Sequence, residues 1–361
     1  MKGSWRVVVG LFLVLALVAA ACSSDDGDEG NGDGNGTSTE QSLLEVVKDN
    51  DSVKCGTRDA LPGFAVLGDD GEYRGFDSDF CRVIAAAVLG DKDKVEMVPL
   101  ETANRFTALQ SGEIDVLVRN TTWTATRDGG EGASFAATTV YDGQGMMVRA
   151  DSAYNTVADM DNTTICLAEG TTTQLNLESK FELEGITLTE PLSFASTDLI
   201  QEAFIAGRCD GWTSDVSQLI SLRSKYPDSD GGPAALKLLP DVFSKEPLGP
   251  AVKDGDTDWY DAVNWAVYAT IQAEEFGITS ANVDSFLDSD NPNIRRFLGV
   301  AIEGAPVDPS LGLPTDFAYQ VIKQVGNYGE IWDANLAPLG LERGPNELWF
   351  NGGLLYAPPY R

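Results

Sequence analysis

The sequence predicts an α/β protein of two similar lobes joined by two crossover segments, and three observations carry that expectation. From residue 53 onward, short apolar runs alternate with helix-period patterns, as α/β folds require. An eight-residue pattern occurs twice, as Ala108-Leu109-Gln110-Ser111-Gly112-Glu113-Ile114-Asp115 and as Ala203-Phe204-Ile205-Ala206-Gly207-Arg208-Cys209-Asp210. In each copy a helix closes on a glycine that takes the left-handed cap, and a buried strand follows. Glycine and proline also mark two crossovers, Val140–Val148 and Ser244–Val252. Hinges of this kind absorb backbone rotation at a few positions.

The elements follow in order. Val53–Thr57 is the first expected strand. Phe76, Phe80, Val83, Ile84, Ala87 and Val88 recur at helical spacing, with Asp77 as N-cap and Gly90 as terminator. Val95–Leu100 and Ile114–Val118 are strands flanking a helix over Thr102–Ser111. In the second lobe Thr164–Ala168, Ile186–Thr189 and Leu236–Leu239 have strand character. Thr171–Phe181, Asp198–Ala206 and Val216–Lys225 have helical character. Tyr260–Phe276 and Phe317–Trp332 are amphipathic helices expected to return to the first lobe, and the aromatic tail from Trp349 to Tyr360 is expected to pack there. The division expected is 41–143 for the first part of lobe 1, 144–246 for lobe 2, and 247–361 for the return to lobe 1.

Composition narrows the function. The 361 residues are 43% hydrophobic, enough for a substantial core. Acids outnumber bases 56 to 25, giving a net charge of −31. No nucleic-acid partner is expected, because binding one needs a basic face that displaces counterions. The chain has no histidine. Nucleophile–histidine pairs, histidine-ligated zinc and the commonest general base are therefore excluded. No metal or cofactor is expected.

The first residues have the character of an export signal. Lys2 and Arg6 precede an apolar run from Val7 to Val18 and then Ala19-Ala20-Ala21-Cys22. This segment, 1–21, resembles the signal and lipobox of bacterial lipoproteins, with Ala19 where leucine is usual, so Cys22 is the expected lipidation site. Residues 22–40 form an acidic, apolar-poor tether that cannot offset its own ordering entropy. The other cysteines are Cys55, Cys81, Cys166 and Cys209, and an even number in an exported chain suggests two disulfides. Three pairings are possible; 55–81 with 166–209 is the most local and is the expected one.

Ligands of open α/β sheets sit beyond the carboxyl ends of the strands. After Ile114–Val118 comes Arg119-Asn120-Thr121-Thr122-Trp123-Thr124-Ala125-Thr126-Arg127, with Arg127 in a helix's first turn. A guanidinium fork matches a carboxylate bidentately. Glu169-Gly170-Thr171-Thr172-Thr173-Gln174 is a strand–glycine–helix junction whose free N–H groups suit an anion. Thr213-Ser214-Asp215 places a carboxylate at another strand end, where it can accept an ammonium. Anion and ammonium receptors on facing lobes describe an α-amino-acid clamp.

At these residues the chain resembles the family 3 solute-binding proteins of polar amino acid ABC transporters, in their general L-amino-acid-binding branch. Segments that carry the resemblance include Arg105-Phe106-Thr107-Ala108-Leu109-Gln110-Ser111-Gly112, Arg119-Asn120-Thr121-Thr122-Trp123-Thr124, Tyr141-Asp142-Gly143-Gln144-Gly145 and Ser244-Lys245-Glu246-Pro247-Leu248-Gly249-Pro250. The resemblance implies a type II periplasmic-binding-protein-like fold with an amino acid held between the lobes. It implies that Arg127, Thr122 and the Thr172 backbone hold the α-carboxylate and that Asp215 and Asn120 receive the α-ammonium. Phe64 would cover the ligand side chain, and Arg119 would lie in contact range and favour polar and acidic ligands. The protein expected is an extracytoplasmic monomer that delivers free L-amino acids to permease subunits and meets the membrane only through its lipid. A dehydratase or lyase on the same fold, or a ligand-sensing module, is the alternative.

Overall fold

The computed structural model describes residues 41–302 and 308–360. The signal segment, Cys22 and the acidic tether lie outside the described residues. Among those described, no helix is long and apolar enough to cross a membrane.

Two five-stranded sheets are built on one plan. The first runs in the order Val95–Pro99, Val53–Thr57, Val116–Leu117, Ala251–Lys253, Ala133–Phe135. The second runs Leu192–Phe194, Ile165–Ala168, Gly211–Asp215, Gln144–Arg149, Leu236–Leu238. In each, three parallel strands stand with the earliest in the middle, and the fourth position is an antiparallel strand that has just come from the other lobe. The segments that pass between the sheets, Val140–Asp142 and Glu246–Leu248, pair antiparallel with Asp142 opposite Glu246. This two-stranded ribbon is the connection expected from the glycine and proline pattern.

Each sheet is covered on both faces. In the first, the helix Arg105–Ser111 lies over one face, where Ala108, Leu109, Ile114, Leu117 and Phe135 form one cluster. The helix Phe76–Leu89 covers the other, with Phe76, Phe80, Ile84 and Val88 buried. In the second, Thr173–Glu184 covers one face through Leu177 and Phe181. Thr197–Ile205 and Val216–Ser224 cover the other. Lobe 1 gains a further helical layer from Thr257–Glu275, Phe317–Gln324 and Tyr328–Asn335. Each disulfide stays within one lobe. Cys55 on the first strand bonds Cys81 on the next helix, with Cα atoms 5.9 Å apart. Cys166 bonds Cys209, with Cα atoms 5.7 Å apart.

Several local expectations are corrected. Gly75, not Asp77, caps the helix Phe76–Leu89. Its φ of 133° is reserved for glycine, and a Cβ there would run into the Phe64 carbonyl. Asp77 instead lies inside the first turn, with its carboxylate turned to the Asn120 amide. Ile186–Thr189 makes only a bridge through Leu188. The strand beside Ile165–Ala168 is Leu192–Phe194, because Ile186 and Leu188 are spent packing on the helix Thr173–Glu184. The span Phe317–Trp332 is broken at Gly326, φ 117°. A second helix restarts there with Asn327 and Glu330 in a reciprocal capping box. In the tail Tyr360 is buried against Trp265, Phe297 and Phe317. Trp349, Phe350 and Tyr356 remain more than half exposed.

Candidate functional site

The carboxyl ends of both sheets face each other across a narrow crevice. Lobe 1 lines it with Arg58, Arg105, Asn120, Thr122 and Arg127; lobe 2 contributes Thr171, Thr172, Thr173, Ser214, Asp215 and Gln218. Each follows from where its element ends. Arg58 is the residue after the strand Val53–Thr57, and Arg105 opens the helix after Val95–Pro99. Asn120 and Thr122 follow Val116–Leu117, and Arg127 lies in the short helix Ala125–Gly130, capped by the Thr124 hydroxyl. In lobe 2 Gly170 turns the chain at φ 68° into the start of the helix Thr173–Glu184.

Arg127 is 7% exposed. One nitrogen, Nη1, donates to the Thr122 carbonyl at 2.8 Å, which orients the fork. Burial lowers its pKa, and Glu246 and Asp215 offset part of that. Arg105 is 3% exposed; Nη2 donates across the cleft to the Gly170 carbonyl at 3.2 Å, and Nε has no partner among the described residues. Its pKa falls well below the ordinary value through burial and then through repulsion from Arg127 and Arg58. Arg58 is lowered by burial as well. Three desolvated guanidiniums thus face a space in which Asp215 is the lining carboxylate.

Asp215 ends the strand Gly211–Asp215 and stands at the N-cap position of Val216–Ser224, yet its side chain caps no amide of that helix. Burial raises its pKa well above the usual range, with Asp142 and Glu246 adding repulsion and Arg127 and Arg58 opposing it. An ammonium placed beside Asp215 would stabilise its ionised form. Asn120 adopts φ 34°, a left-handed conformation that asparagine tolerates better than most residues. Its N–H donates to Asp77 at 2.8 Å. Its Oδ1 accepts from Arg58 Nε at 2.9 Å, and its Nδ2 donates to Gln218 Oε1 at 3.0 Å. The amide therefore joins the lobes as placed. Asp77, behind it, is pushed up to about 7 by burial.

The crevice brings together five of the residues expected from the sequence: Arg127, Asp215, Thr122, Thr172 and Asn120. Phe64 and Arg119 are placed elsewhere. Phe64 is fully buried, with its ring 6.4 Å from that of Phe76, so it belongs to the lobe 1 core. Arg119 is not among the residues that line the crevice. It is buried, Nε donates to the Leu100 carbonyl and Nη2 to Thr102 Oγ1, and Arg58 and Arg105 are near enough to repel it. Arg58, Arg105 and Gln218 were not anticipated. The signal was present for the first two, since both follow strand ends of the first sheet; Gln218 needed the packing of the lobes.

The sequence pattern of the bacterial extracellular solute-binding proteins, family 3, matches residues 53–280. The general L-amino acid-binding periplasmic protein AapJ of Rhizobium johnstonii is 48% identical over 323 residues, covering 88% of this chain and 92% of that protein. The glutamate/glutamine/aspartate/asparagine-binding protein BztA of Rhodobacter capsulatus is 46% identical, covering 89% of this chain and 94% of that one. A solved ABC-transporter periplasmic binding protein from Brucella ovis, with glutathione bound, superposes with a TM-score of 0.84. It is 42% identical and covers 89% of this chain and all of its own. The expected two-lobed binding-protein fold is the one observed, and the chain belongs to the bacterial extracellular solute-binding proteins, family 3.

Proposed function

We propose that this protein captures free L-amino acids outside the cytoplasm and presents them to the permease of an ABC importer. The observation that carries the reading is the charge division across the crevice. Guanidiniums line the lobe 1 wall and a lone lining carboxylate, Asp215, stands on the lobe 2 wall, which is the complement of a zwitterion. Arg127, with Thr122 and the Thr172 backbone, takes the α-carboxylate. Asp215 takes the α-ammonium, with Asn120 beside it. Arg58 and Arg105, in place of Arg119, favour a polar or acidic side chain. The names of the two relatives, a general amino-acid binder and a binder of glutamate, glutamine, aspartate and asparagine, support that ligand class.

Capture proceeds by closure of lobe 2, residues 144–246, about the paired crossover strands, and the ligand leaves chemically unchanged. The protein acts as a monomer, held at the membrane through lipid on Cys22. Because stable anchoring needs more than one acyl chain, the lipid on Cys22 is a diacylglycerol group, and Cys22→Ser, which removes the attachment point, should release the protein from membranes.

Titration calorimetry over the common L-amino acids tests the reading. One site per chain, with glutamate, aspartate and their amides among the tightest ligands, is expected. Recovery of each ligand intact after prolonged incubation separates capture from lyase turnover. Glutathione belongs in the same screen, because its γ-glutamyl end carries the same ammonium and carboxylate. Absence of binding by every amino acid would overturn the proposal.

A further inference from the structure

The helix Val216–Ser224 begins at Asp215 and turns one face toward lobe 1. On that face Gln218 and Ser221 stand one helical turn apart, and Lys225 follows at the C-cap, the residue just past the helix. Each makes a bond to the other lobe. Gln218 accepts from Asn120 inside the crevice. Ser221, fully buried, donates from Oγ to the Pro62 carbonyl at 2.6 Å. Lys225 donates from Nζ to the Ala60 carbonyl at 2.7 Å. The accepting segment is pinned in turn, because Ala60–Leu61 is a strand paired antiparallel with Val66 and Ala65, and the Phe76 amide donates to the Gly63 carbonyl just beyond it at 2.8 Å. Ser221 and Lys225 lie outside the residues that line the crevice.

We propose that Ser221 and Lys225 form a latch that closes the lobes on the pinned segment at Ala60–Pro62 and so sets the affinity for every ligand alike without touching any of them. The latch rests on the amino-acid-capture reading only for its effect on affinity; its effect on closure stands alone. Both bonds cross from one lobe to the other, so opening must break them, and both acceptors are backbone carbonyls held in place whatever occupies the crevice. The Ser221 hydroxyl is buried by the contact, so an open form must rehydrate it. A ligand that binds the closed form loses apparent affinity in proportion to any fall in the closed population. Because the latch is on the helix that starts at Asp215, closing it also seats the ammonium receptor.

The test uses the whole protein labelled for single-molecule energy transfer through Leu183→Cys and Asp288→Cys, an exposed position on each lobe. Ser221→Ala and Lys225→Met, singly and together, are compared with the parent, with and without L-glutamate and L-asparagine. The expected result is a smaller closed fraction in each variant even without ligand. A further expectation is a loss of affinity of roughly threefold to tenfold per variant, by the same factor for both ligands. Lys225→Arg, which can still donate to the Ala60 carbonyl, should restore both readouts. Equal closed fractions in the parent and the double variant, or a loss confined to one ligand, would overturn the latch. Failure of the parent to bind any amino acid would overturn the capture reading instead, and the ligand-free distances would still decide the latch.

Discussion

The two lobes share one strand order yet supply opposite chemistry. Lobe 1 brings Arg58, Arg105 and Arg127 to its strand ends; lobe 2 brings Asp215 and a helix start flanked by three threonines. Lobe 1 is also the more heavily supported. Its C-terminal layer braces the crossover, with the Tyr328 hydroxyl on the Thr139 carbonyl at 2.8 Å and Asn346 bonded to both the amide and the carbonyl of Tyr141. Arg343 holds that layer together by pairing with Glu274 and lying over the Tyr328 ring. Lobe 2 has no such layer among the described residues. The difference teaches a division of labour under the proposed reading: the braced lobe presents a guanidinium-lined wall for one end of a zwitterion, and the lobe without that bracing presents the carboxylate wall for the other.

Breaking the charge division should have the largest effect. Truncating one partner of a buried charged pair typically costs about 2–5 kcal/mol. Arg127→Ala and Asp215→Ala should therefore each weaken every amino acid by roughly tens to thousands of times, read by calorimetry. The disulfides offer the next comparison. Losing either should destabilise its own lobe by about 2–4 kcal/mol. In thermal unfolding Cys166→Ser with Cys209→Ser should lower the lobe 2 transition, and Cys55→Ser with Cys81→Ser that of lobe 1. Arg105→Ala sharpens the account of side-chain choice. It should cost acidic ligands about tenfold more than small neutral ones, as a charge-assisted hydrogen bond does, whereas Arg119→Ala should leave that ranking unchanged.

The smallest effect is in the pH response, where two signs should oppose. Asp142 is pushed up to about 6, chiefly by burial, with Glu246 across the ribbon adding to it, and Asp77 to about 7. A carboxyl whose folded pKa is raised keeps its proton longer in the folded state. Its stabilising contribution is thus full below the unfolded pKa and lost as pH rises through the folded one. Ligand-free thermal stability should rise on acidification from pH 7.5 to about 5 for this reason. Affinity should fall over the same interval, because an ammonium needs Asp215 ionised and protonation removes its partner. Asp142→Asn should remove its own part of the stability response and leave that of Asp77.

Much of this was legible in the sequence because it rests on local patterns. The repeat that carries Gly112 and Gly207 at matching positions marked equivalent helix–strand junctions. The run from Arg119 to Arg127 marked a strand end rich in polar groups. What escaped was set by packing. Phe64 and Arg119 carry the residue types of a binding site, but one is drawn into the aromatic core beside Phe76 and the other is tied to Leu100 and Thr102. Arg58 and Arg105 each follow a strand end, a signal the sequence carries, but they meet at one crevice only because neighbouring strand ends converge. The latch depends on how the lobes meet, which no local pattern encodes.

The central claim is that Asp215 on lobe 2 reads the ammonium and Arg127 on lobe 1 the α-carboxylate. Titrating the parent, Asp215→Asn and Arg127→Ala with L-glutamate and with 2-oxoglutarate, which keeps both carboxylates and lacks the ammonium, tests it most directly. The account predicts that Asp215→Asn weakens glutamate strongly while leaving 2-oxoglutarate unchanged or tighter, and that Arg127→Ala weakens both. Equal losses for the two ligands on Asp215→Asn would contradict it.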